Sequence, residues 1–411
     1  MQKYDVAVVG AGLGGLAVAA LLAAKKKKTI VLERSMSLDE AVGQFKKDGF
    51  TFFATPALSY GFEPGGEIHE LFARLGIVQE LSVHSPCYQV ALPDRRITLY
   101  AEWGDTLEEL RREFPKEINA LTRFYHTLHK KAVQNTKSRV SSYLSRHQAA
   151  AGLFRKYRFS RELMTFFDVQ SLYFYQKPAE DLSVAALITL CDTPPRTLHG
   201  GFKKLADQLY GIILREGGEV SYNEKVAELA MRNDRIIGVT TARGVLEAGT
   251  VLLNRMEHQP STTLFIGLLN EVVPIGMCRH VLFLPDYARP RDFISLSLNA
   301  EDDAVAPPGM RTLNATWCSP PDRPAGKQVL LEQVSTLIPF LNDHLVLAEE
   351  YRGGDGKTAL PDTISFHPLR SEEGTPLLFR GSRKHLYLLN NAQNMPLQVL
   401  SAAQRFVAKM R

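Results

Sequence analysis

The stretch Tyr4–Glu33, Y-D-V-A-V-V-G-A-G-L-G-G-L-A-V-A-A-L-L-A-A-K-K-K-K-T-I-V-L-E, decides the fold of this chain. Tyr4–Val9 is a short β-branched run of the kind that is buried on both faces of a parallel sheet. A glycine turn follows at once, Leu16–Ala24 has a strong helix propensity, and Thr29–Glu33 reads as a second strand. The order of strand, glycine turn, helix, strand and acid is typical of a dinucleotide-binding unit.

Each position of the turn Gly10-Ala11-Gly12-Leu13-Gly14-Gly15 has a physical reason. Gly10 permits the tight turn, Gly12 lets the backbone approach a pyrophosphate, and Gly15 lets the helix pack near the strand. The helix N-terminus then faces the phosphate charge. Glu33 can accept hydrogen bonds from an adenosine ribose, and an acid there disfavours a 2′-phosphate, so FAD or NAD fits better than NADP. The alternative is a glycine turn in an α/β domain that binds no ligand.

Length and composition bound the remaining possibilities. At about 100–200 residues per domain, 411 residues predict two or three domains. Hydrophobic residues make up 45% and charged residues 23%, as in ordinary globular proteins. No run of apolar residues is long enough to span a membrane. The net charge of +5 argues against a dedicated nucleic-acid surface, although it permits attraction to anionic lipid.

Cysteine spacing and the N-terminus indicate the compartment. The four cysteines are scattered without a C-x-x-C pair, so neither a disulfide framework nor a zinc site is expected. The first residues lack the layout of a signal peptide. We therefore expect a cytoplasmic protein.

Further elements follow from local patterns. Glu67–Leu75 reads as an amphipathic helix that ends at Gly76, and Tyr88–Tyr100 as a hairpin around Pro93-Asp94. Asp105–Phe114 opens with a D-x-x-E capping pattern, and Pro115 suits the start of the next helix. Later segments predict one helix before the Gly217-Gly218 pair, strands from Val226 to Asn254, a strand at His385–Asn390 and a final helix at Pro396–Met410.

Several motifs, in order along the chain, resemble the phytoene desaturase and carotenoid isomerase-like oxidoreductases of the amine-oxidase superfamily. Val8–Ala20, V-V-G-A-G-L-G-G-L-A-V-A-A, is similar to the FAD-binding start of that family. Gly49-Phe50-Thr51-Phe52 with Pro56, Asp168–Pro178 and His199–Leu205 are similar to later family segments. Leu253-Asn254-Arg255-Met256 stands where the family has "V-S-N-A-D-P".

The resemblance implies an α/β fold with a discontinuous, Rossmann-like FAD/NAD(P)-binding domain and an inserted α+β substrate domain. The FAD-binding domain would comprise residues 1–80, 196–260 and 380–411, and the substrate domain 81–195 and 261–379. The cofactor contacts that it implies are Gly10, Gly12, Leu13, Gly14, Gly15, Glu33, Arg34, Val226, Asn391 and Ala392. Val226 would lie against the adenine. No catalytic residue is identified, because in such enzymes the flavin itself exchanges the hydride.

The resemblance also implies a long apolar, isoprenoid-like substrate. The aromatic-rich segment 141–177 would then suit a substrate tunnel or a surface that dips into a membrane; an ordinary buried core is the alternative. Contact with a membrane surface is permitted, nucleic acid is not an expected partner, and the oligomeric state is left open.

Two segments depart from the family pattern. Where the family has "G-G-R", this chain has Val42-Gly43-Gln44, and the glycines of the C-terminal flavin loop are replaced between residues 390 and 397. Side chains at 390, 391 and 397 are expected to obstruct the approach of the backbone to the flavin. Three hypotheses remain: a FAD-dependent oxidoreductase, a non-catalytic nucleotide-binding descendant that acts as a binding or complex subunit, and a flavin amine oxidase-type enzyme. His126 and His129 lie three apart on a predicted helix, but without a further ligand no metal site is expected.

Overall fold

A computed structural model describes residues 3–55, 58–233, 235–255, 262–299, 304–318, 326–351, 366–368, 378–390 and 396–410. Its helices are α1 (Leu13–Ala24), α2 (Leu38–Ala41), α3 (Glu67–Leu75), α4 (Trp103–Glu113), α5 (Ile118–Lys137), α6 (Arg139–His147), α7 (Ala151–Tyr157), α8 (Arg161–Tyr175), α9 (Val184–Asp192), α10 (Gly201–Arg215), α11 (Lys327–Leu337) and α12 (Pro396–Lys409). Within these ranges, none of the helices combines the length and the apolar character that crossing a bilayer requires.

The strands are β1 (Lys3–Val9), β2 (Thr29–Leu32), β3 (Gln44–Lys47), β4 (Phe50–Phe53), β5 (Leu58–Ser59), β6 (Leu81–Ser82), β7 (Tyr88–Leu92), β8 (Arg95–Leu99), β9 (Arg196–Leu198), β10 (Glu219–Ser221), β11 (Val226–Arg232), β12 (Arg235–Thr241), β13 (Gly244–Arg255), β14 (Thr262–Leu269), β15 (His280–Phe283), β16 (Phe293–Leu298), β17 (Met310–Cys318), β18 (Leu345–Tyr351), β19 (Phe366–Pro368), β20 (Leu378–Gly381) and β21 (Leu386–Asn390).

The first large sheet has the strand order β10-β2-β1-β13-β21-β20-β19. Its strands run parallel from β10 to β21, and β20 and β19 are antiparallel additions at one edge. From β1 the chain passes through α1 to β2 on one side, whereas β13 lies on the other side of β1. In open α/β sheets such a change of direction creates a crevice at the carboxyl ends of the strands, where ligands bind.

Helices cover one face of this sheet and a β-meander covers the other. α1 packs with α3, α10 and α12 into one apolar cluster, and its residues from Leu13 to Ala23 are all buried. This explains its continuous Ala/Leu composition, since a helix that is enclosed on all sides needs no polar face. β11 and β12 form an antiparallel pair joined to β13, and they bury Val226, Leu229 and Ile236 against the opposite face.

The second large sheet has the order β18-β14-β17-β16-β15-β7-β8 and is antiparallel except where β15 meets β7. α11 packs over β14 and β17 in one apolar cluster. The region of α4 to α9 packs beside β7 and β8 in another. In this second cluster Phe154, Phe166 and Phe167 are buried. The ring centroids of Phe166 and Phe167 lie 5.3 Å apart. These rings of the aromatic-rich segment therefore belong to a packed core, and Tyr143 of the same segment is exposed.

The structure confirms several local predictions and corrects two. The parallel β1–α1–β2 unit, the helix that ends at Gly76 and the hairpin around Pro93-Asp94 are confirmed. The predicted start of a helix at Asp105 is wrong, because α4 begins two residues earlier with Glu102 as a cap that makes no side-chain hydrogen bond. The predicted start at Pro115 is also wrong: Glu117 N donates to Phe114 O in a turn, and α5 begins only after it.

The predicted division into domains stays a prediction. The first large sheet consists of β1, β2, β10 to β13 and β19 to β21. The second large sheet consists of β7, β8 and β14 to β18. The predicted cofactor residues Asn391 and Ala392 lie outside the described residues.

Candidate cofactor site

The glycine turn after β1 is fixed by contacts with the end of β13. Gly10 has φ +106°, a conformation that side chains rarely adopt, and a Cβ there would overlap the carbonyl oxygen of Asn254. The register Val9 with Leu253 places Gly10 and Asn254 side by side at the carboxyl ends of their strands. Position 10 therefore requires glycine, as the turn predicted.

The glycines that follow Gly12 serve packing inside the protein. A Cβ on Gly15 would overlap the carbonyl oxygen of Gly10, so this glycine lets α1 lie close to β1. A Cβ on Gly14 would lie 2.6 Å from Val399 and 2.8 Å from Leu389, so this glycine admits the C-terminal strand and helix. Gly12 is the N-cap of α1 and provides no side-chain cap. A helix N-terminus of this kind attracts a phosphate.

Glu33 lies buried beneath the turn, with 6% of its surface exposed. Its Oε2 accepts a hydrogen bond from the backbone N–H of Ala11 at 2.5 Å, and its Oε1 accepts one from that of Ser35 at 2.8 Å. Each carboxylate oxygen can accept a second hydrogen bond. The carboxylate therefore has a structural role in holding the turn and keeps the capacity to accept ribose hydroxyls.

Two further polar residues lie at strand ends that border this crevice, and neither was predicted as a site residue. Asn254 Nδ2 donates to the carbonyl oxygen of Gly10 at 3.2 Å, while its Oδ1 is buried and has no hydrogen-bond partner within the described residues. The hydroxyl of Tyr222, just after β10, is also buried without a partner there. Burial, followed by the nearby Tyr210 and Glu33, raises the pKa of Tyr222 to about 12.

A common signal marks both residues. Tyr222 directly follows β10, and Asn254 lies at the carboxyl end of β13. Ligands of open α/β sheets bind at carboxyl ends of this kind. To recognise such positions, one must know the order of the strands in the sheet, which no local sequence pattern provides. Together, the glycine turn, the Glu33 carboxylate and the Asn254 amide oxygen fit the ADP half of a dinucleotide.

The remaining predicted residues lie around this centre. Val226 begins β11, is buried and pairs with Thr241 next to an irregularity in the strand pairing. Leu13 begins α1 and is buried, and Arg34 is exposed beside Glu33. His129 pairs with Asp192 at 3.0 Å, and His126 meets the ring of Trp103 edge-on. Within the described ranges no group of metal-ligating side chains occurs.

The altered C-terminal segment packs tightly where it is described. Leu397 fills the space beside Gly61, where a Cβ would overlap its Cδ1, and joins the apolar clusters of both large sheets. Gln398 donates to the carbonyl oxygen of Phe174 at the end of α8. The first turn of α12 is therefore held between Gly61 and α8.

A narrow, aromatic-lined cavity lies near this junction, with a volume of about 40 Å³. Tyr60, Tyr88 and Tyr125 contribute to its wall, together with Trp103 and Cys191. Tyr60 packs edge-on against Phe174, with ring centroids 4.7 Å apart. At this size the cavity has room for only a few water molecules.

Comparison with known proteins supports this architecture. A family model described as an NAD(P)-binding Rossmann-like domain matches residues 8–75. A prolycopene isomerase of Daucus carota is 24% identical over 272 residues, covering 59% of this chain and 44% of that protein. A 4,4′-diapophytoene desaturase of Methylomonas sp is 24% identical over 291 residues, covering 66% of this chain and 57% of that protein. The chain spans about half the length of the curated relatives it matches.

The solved structure of an oxidoreductase from Methanosarcina mazei has a TM-score of 0.66 and 15% identity, and covers 99% of this chain and 100% of that one. At this identity the likeness shows the fold alone. The fold and the Rossmann-like match confirm the predicted α/β class with a Rossmann-like dinucleotide-binding domain. With the two sequence matches, they also confirm the predicted resemblance of this chain to the phytoene desaturase and carotenoid isomerase-like oxidoreductases.

Proposed function

We propose that this chain is a FAD-dependent oxidoreductase that transfers hydride to or from the flavin on a long apolar, isoprenoid-like substrate. The observation that carries the proposal is the buried Glu33 carboxylate beneath the glycine turn, at the strand ends where β1 and β13 meet. The names of the relatives, an isomerase of prolycopene and a desaturase of diapophytoene, support the substrate class.

The ADP half of the cofactor would be held by the described residues. Gly10, Gly12 and the N-terminus of α1 would receive the pyrophosphate, since backbone N–H groups and the helix dipole favour negative charge there. Glu33 would accept the ribose hydroxyls, with Arg34 beside it at the surface, and Val226 would lie against the adenine. The Oδ1 of Asn254 would accept a hydrogen bond from a hydroxyl of the bound cofactor, which would satisfy a buried acceptor.

The flavin, when bound, supplies the hydride acceptor or donor of the reaction. The protein's own part is to orient the apolar substrate and to exclude water, and the apolar residues around Leu397 suit that part. An apolar substrate of this size resides in lipid, so a cytoplasmic location with contact to a membrane surface belongs to the same proposal. Asn391 and Ala392 are proposed as contacts on the flavin side.

The visible absorption spectrum of the purified protein tests this function directly, followed by heat release and identification of the nucleotide. Bands of oxidised flavin with FAD in the supernatant are the expected result. Gly12→Val should remove the flavin, because a bulky side chain keeps the backbone away from the pyrophosphate. Gly104→Val is the control, since Gly104 lies at the start of another helix, α4, and faces open space.

Two results would contradict the proposal. One is a colourless wild-type protein that also fails to take up added FAD, which would favour a non-catalytic nucleotide-binding protein. The other is a Gly12→Val protein that retains as much flavin as Gly104→Val. If FAD is bound but is reduced by an amine and not by apolar polyenes, the cofactor assignment stands and the amine oxidase-type alternative replaces the proposed substrate.

A further inference from the structure

Helix α6 is oriented opposite to an ordinary surface helix. Its polar residues Ser141 and Ser145 face the protein, and both hydroxyls donate to Oδ1 of Asn135, at 2.8 and 3.1 Å. Its apolar residues face solvent, with exposed fractions of 69% for Val140, 62% for Tyr143 and 58% for Leu144. These three positions have the spacing of one helix face. An apolar face directed outward marks a surface that contacts another apolar phase.

The surrounding sequence is strongly basic. Between Ile118 and Arg161 there is no Asp or Glu, and there are ten basic residues: Arg123, Lys130, Lys131, Lys137, Arg139, Arg146, Arg155, Lys156, Arg158 and Arg161. The whole chain has a net charge of only +5, so the rest of the chain is net acidic. Asp192 faces this segment from α9, and it pairs with His129 at 3.0 Å.

We propose that the outward face of α6 docks on an anionic lipid bilayer. Val140, Tyr143 and Leu144 would enter the boundary between headgroups and acyl chains, as the apolar face of an interfacial helix does. Lys137 and Arg139, both exposed at the junction of α5 and α6, would lie at the level of the anionic headgroups. The inference deepens the proposed membrane contact, but its observations are independent of the flavin site.

Charge and apolar character together select the bilayer over other occupants. A nucleic acid would use the basic residues and the Tyr143 ring, on which a base can stack, but it would leave Val140 and Leu144 in water. A second copy of the chain would bring two acid-free basic segments together, and like charges oppose such a contact. An anionic bilayer complements both properties at once.

Vesicle flotation of the full chain tests the proposal, with vesicles of phosphatidylcholine alone and of phosphatidylcholine mixed equally with phosphatidylglycerol. The wild-type protein should bind the mixed vesicles and not the neutral ones. The triple variant Val140→Ser, Tyr143→Ser, Leu144→Ser should lower the partition coefficient at least about tenfold, because the inserted apolar surface is lost. Ile275→Ser, which alters an exposed apolar residue in another part of the chain, should leave it unchanged.

A second pair of variants tests the charge. Lys137→Glu with Arg139→Glu should lower binding at least about tenfold, whereas Arg232→Glu with Arg235→Glu, on the β11–β12 hairpin, should not. Far-UV circular dichroism and bound flavin, measured on every variant, separate a lost surface from a lost fold or a lost cofactor. Wild-type protein that stays off the mixed vesicles would overturn the proposal. So would equal losses in test and control variants, self-association that the triple serine variant abolishes, or binding to DNA in preference to the vesicles.

Discussion

The substitution Glu33→Gln separates the structural role of this carboxylate from its proposed role with the ribose. In flavin-free protein the two carboxylate oxygens accept hydrogen bonds from the buried backbone N–H of Ala11 and the partly buried backbone N–H of Ser35. Glutamine can accept only one of these bonds, and its amide group then faces the other N–H donor. Weakening one charge-assisted bond and leaving one buried donor unsatisfied should lower the free energy of unfolding by about 2–4 kcal/mol.

Glu224→Gln is the matched control. Glu224 is similarly buried, and its backbone N–H donates to the carbonyl oxygen of Glu33, but its carboxylate pairs with Arg243, whose side chain is 71% exposed. Glutamine at position 224 keeps an acceptor for Arg243 and leaves no buried donor without a partner, so this change should lower the free energy of unfolding by only about 1 kcal/mol. Urea unfolding of the flavin-free proteins at neutral pH, followed by tryptophan fluorescence, measures both values. A Glu33→Gln protein as stable as Glu224→Gln would refute the structural role given to Glu33.

Three further results are expected. Gly14→Ala should destabilise the protein by about 1–3 kcal/mol, because the added methyl group overpacks the core. In a double-mutant cycle measured by urea unfolding, the loss of stability in the protein that carries both Gly14→Ala and Val399→Ala should be smaller than the sum of the losses in the two single variants. Asn254→Asp should destabilise the protein at pH 7.5, because a carboxylate would replace the amide that donates to the Gly10 carbonyl oxygen. Thermal melts should show that part of this stability is recovered at pH 5, because protonation of the carboxylate restores a donor. Burial, with Arg279 and His84, lowers the pKa of His280 to about 4 from 6.5, so its contribution to stability is complete above pH 6.5 and is lost as the pH falls toward 4. His280→Gln should show a smaller decrease in stability over that interval, and an unchanged decrease would contradict this assignment.

Local patterns predicted the elements whose signals lie within a few residues. The glycine turn with its flanking strands, the helix ending at Gly76 and the hairpin at Pro93-Asp94 each depend on short-range backbone preferences. The second large sheet gave mixed signals, because a strand such as Thr262–Leu269 is buried along nearly its whole length and shows no alternation of polar and apolar residues. The predicted starts of α4 and α5 were wrong because neither helix begins at a side-chain cap: Glu102 and Glu117 make no side-chain cap hydrogen bond.

The part of the candidate site that lies within a few consecutive residues was also predictable from the sequence. Gly10, Gly12 and Glu33 belong to one contiguous unit with a recognisable order. Asn254 comes to Gly10 only through the pairing of β1 with β13, and the pairing of β10 with β2 brings Tyr222 to the same edge of the sheet. Such pairings join segments that are remote in sequence, and local reasoning does not provide them.

The burial of α1 has a consequence for how the protein is made. α1 is synthesised long before two of the residues that enclose it, Leu389 and Val399. Until those residues are synthesised, one side of an almost wholly apolar helix remains uncovered, and exposed surface of this kind promotes aggregation. We therefore expect nascent chains of this protein to depend on a chaperone until α12 has been made, and truncations that remove α12 to accumulate in the insoluble fraction.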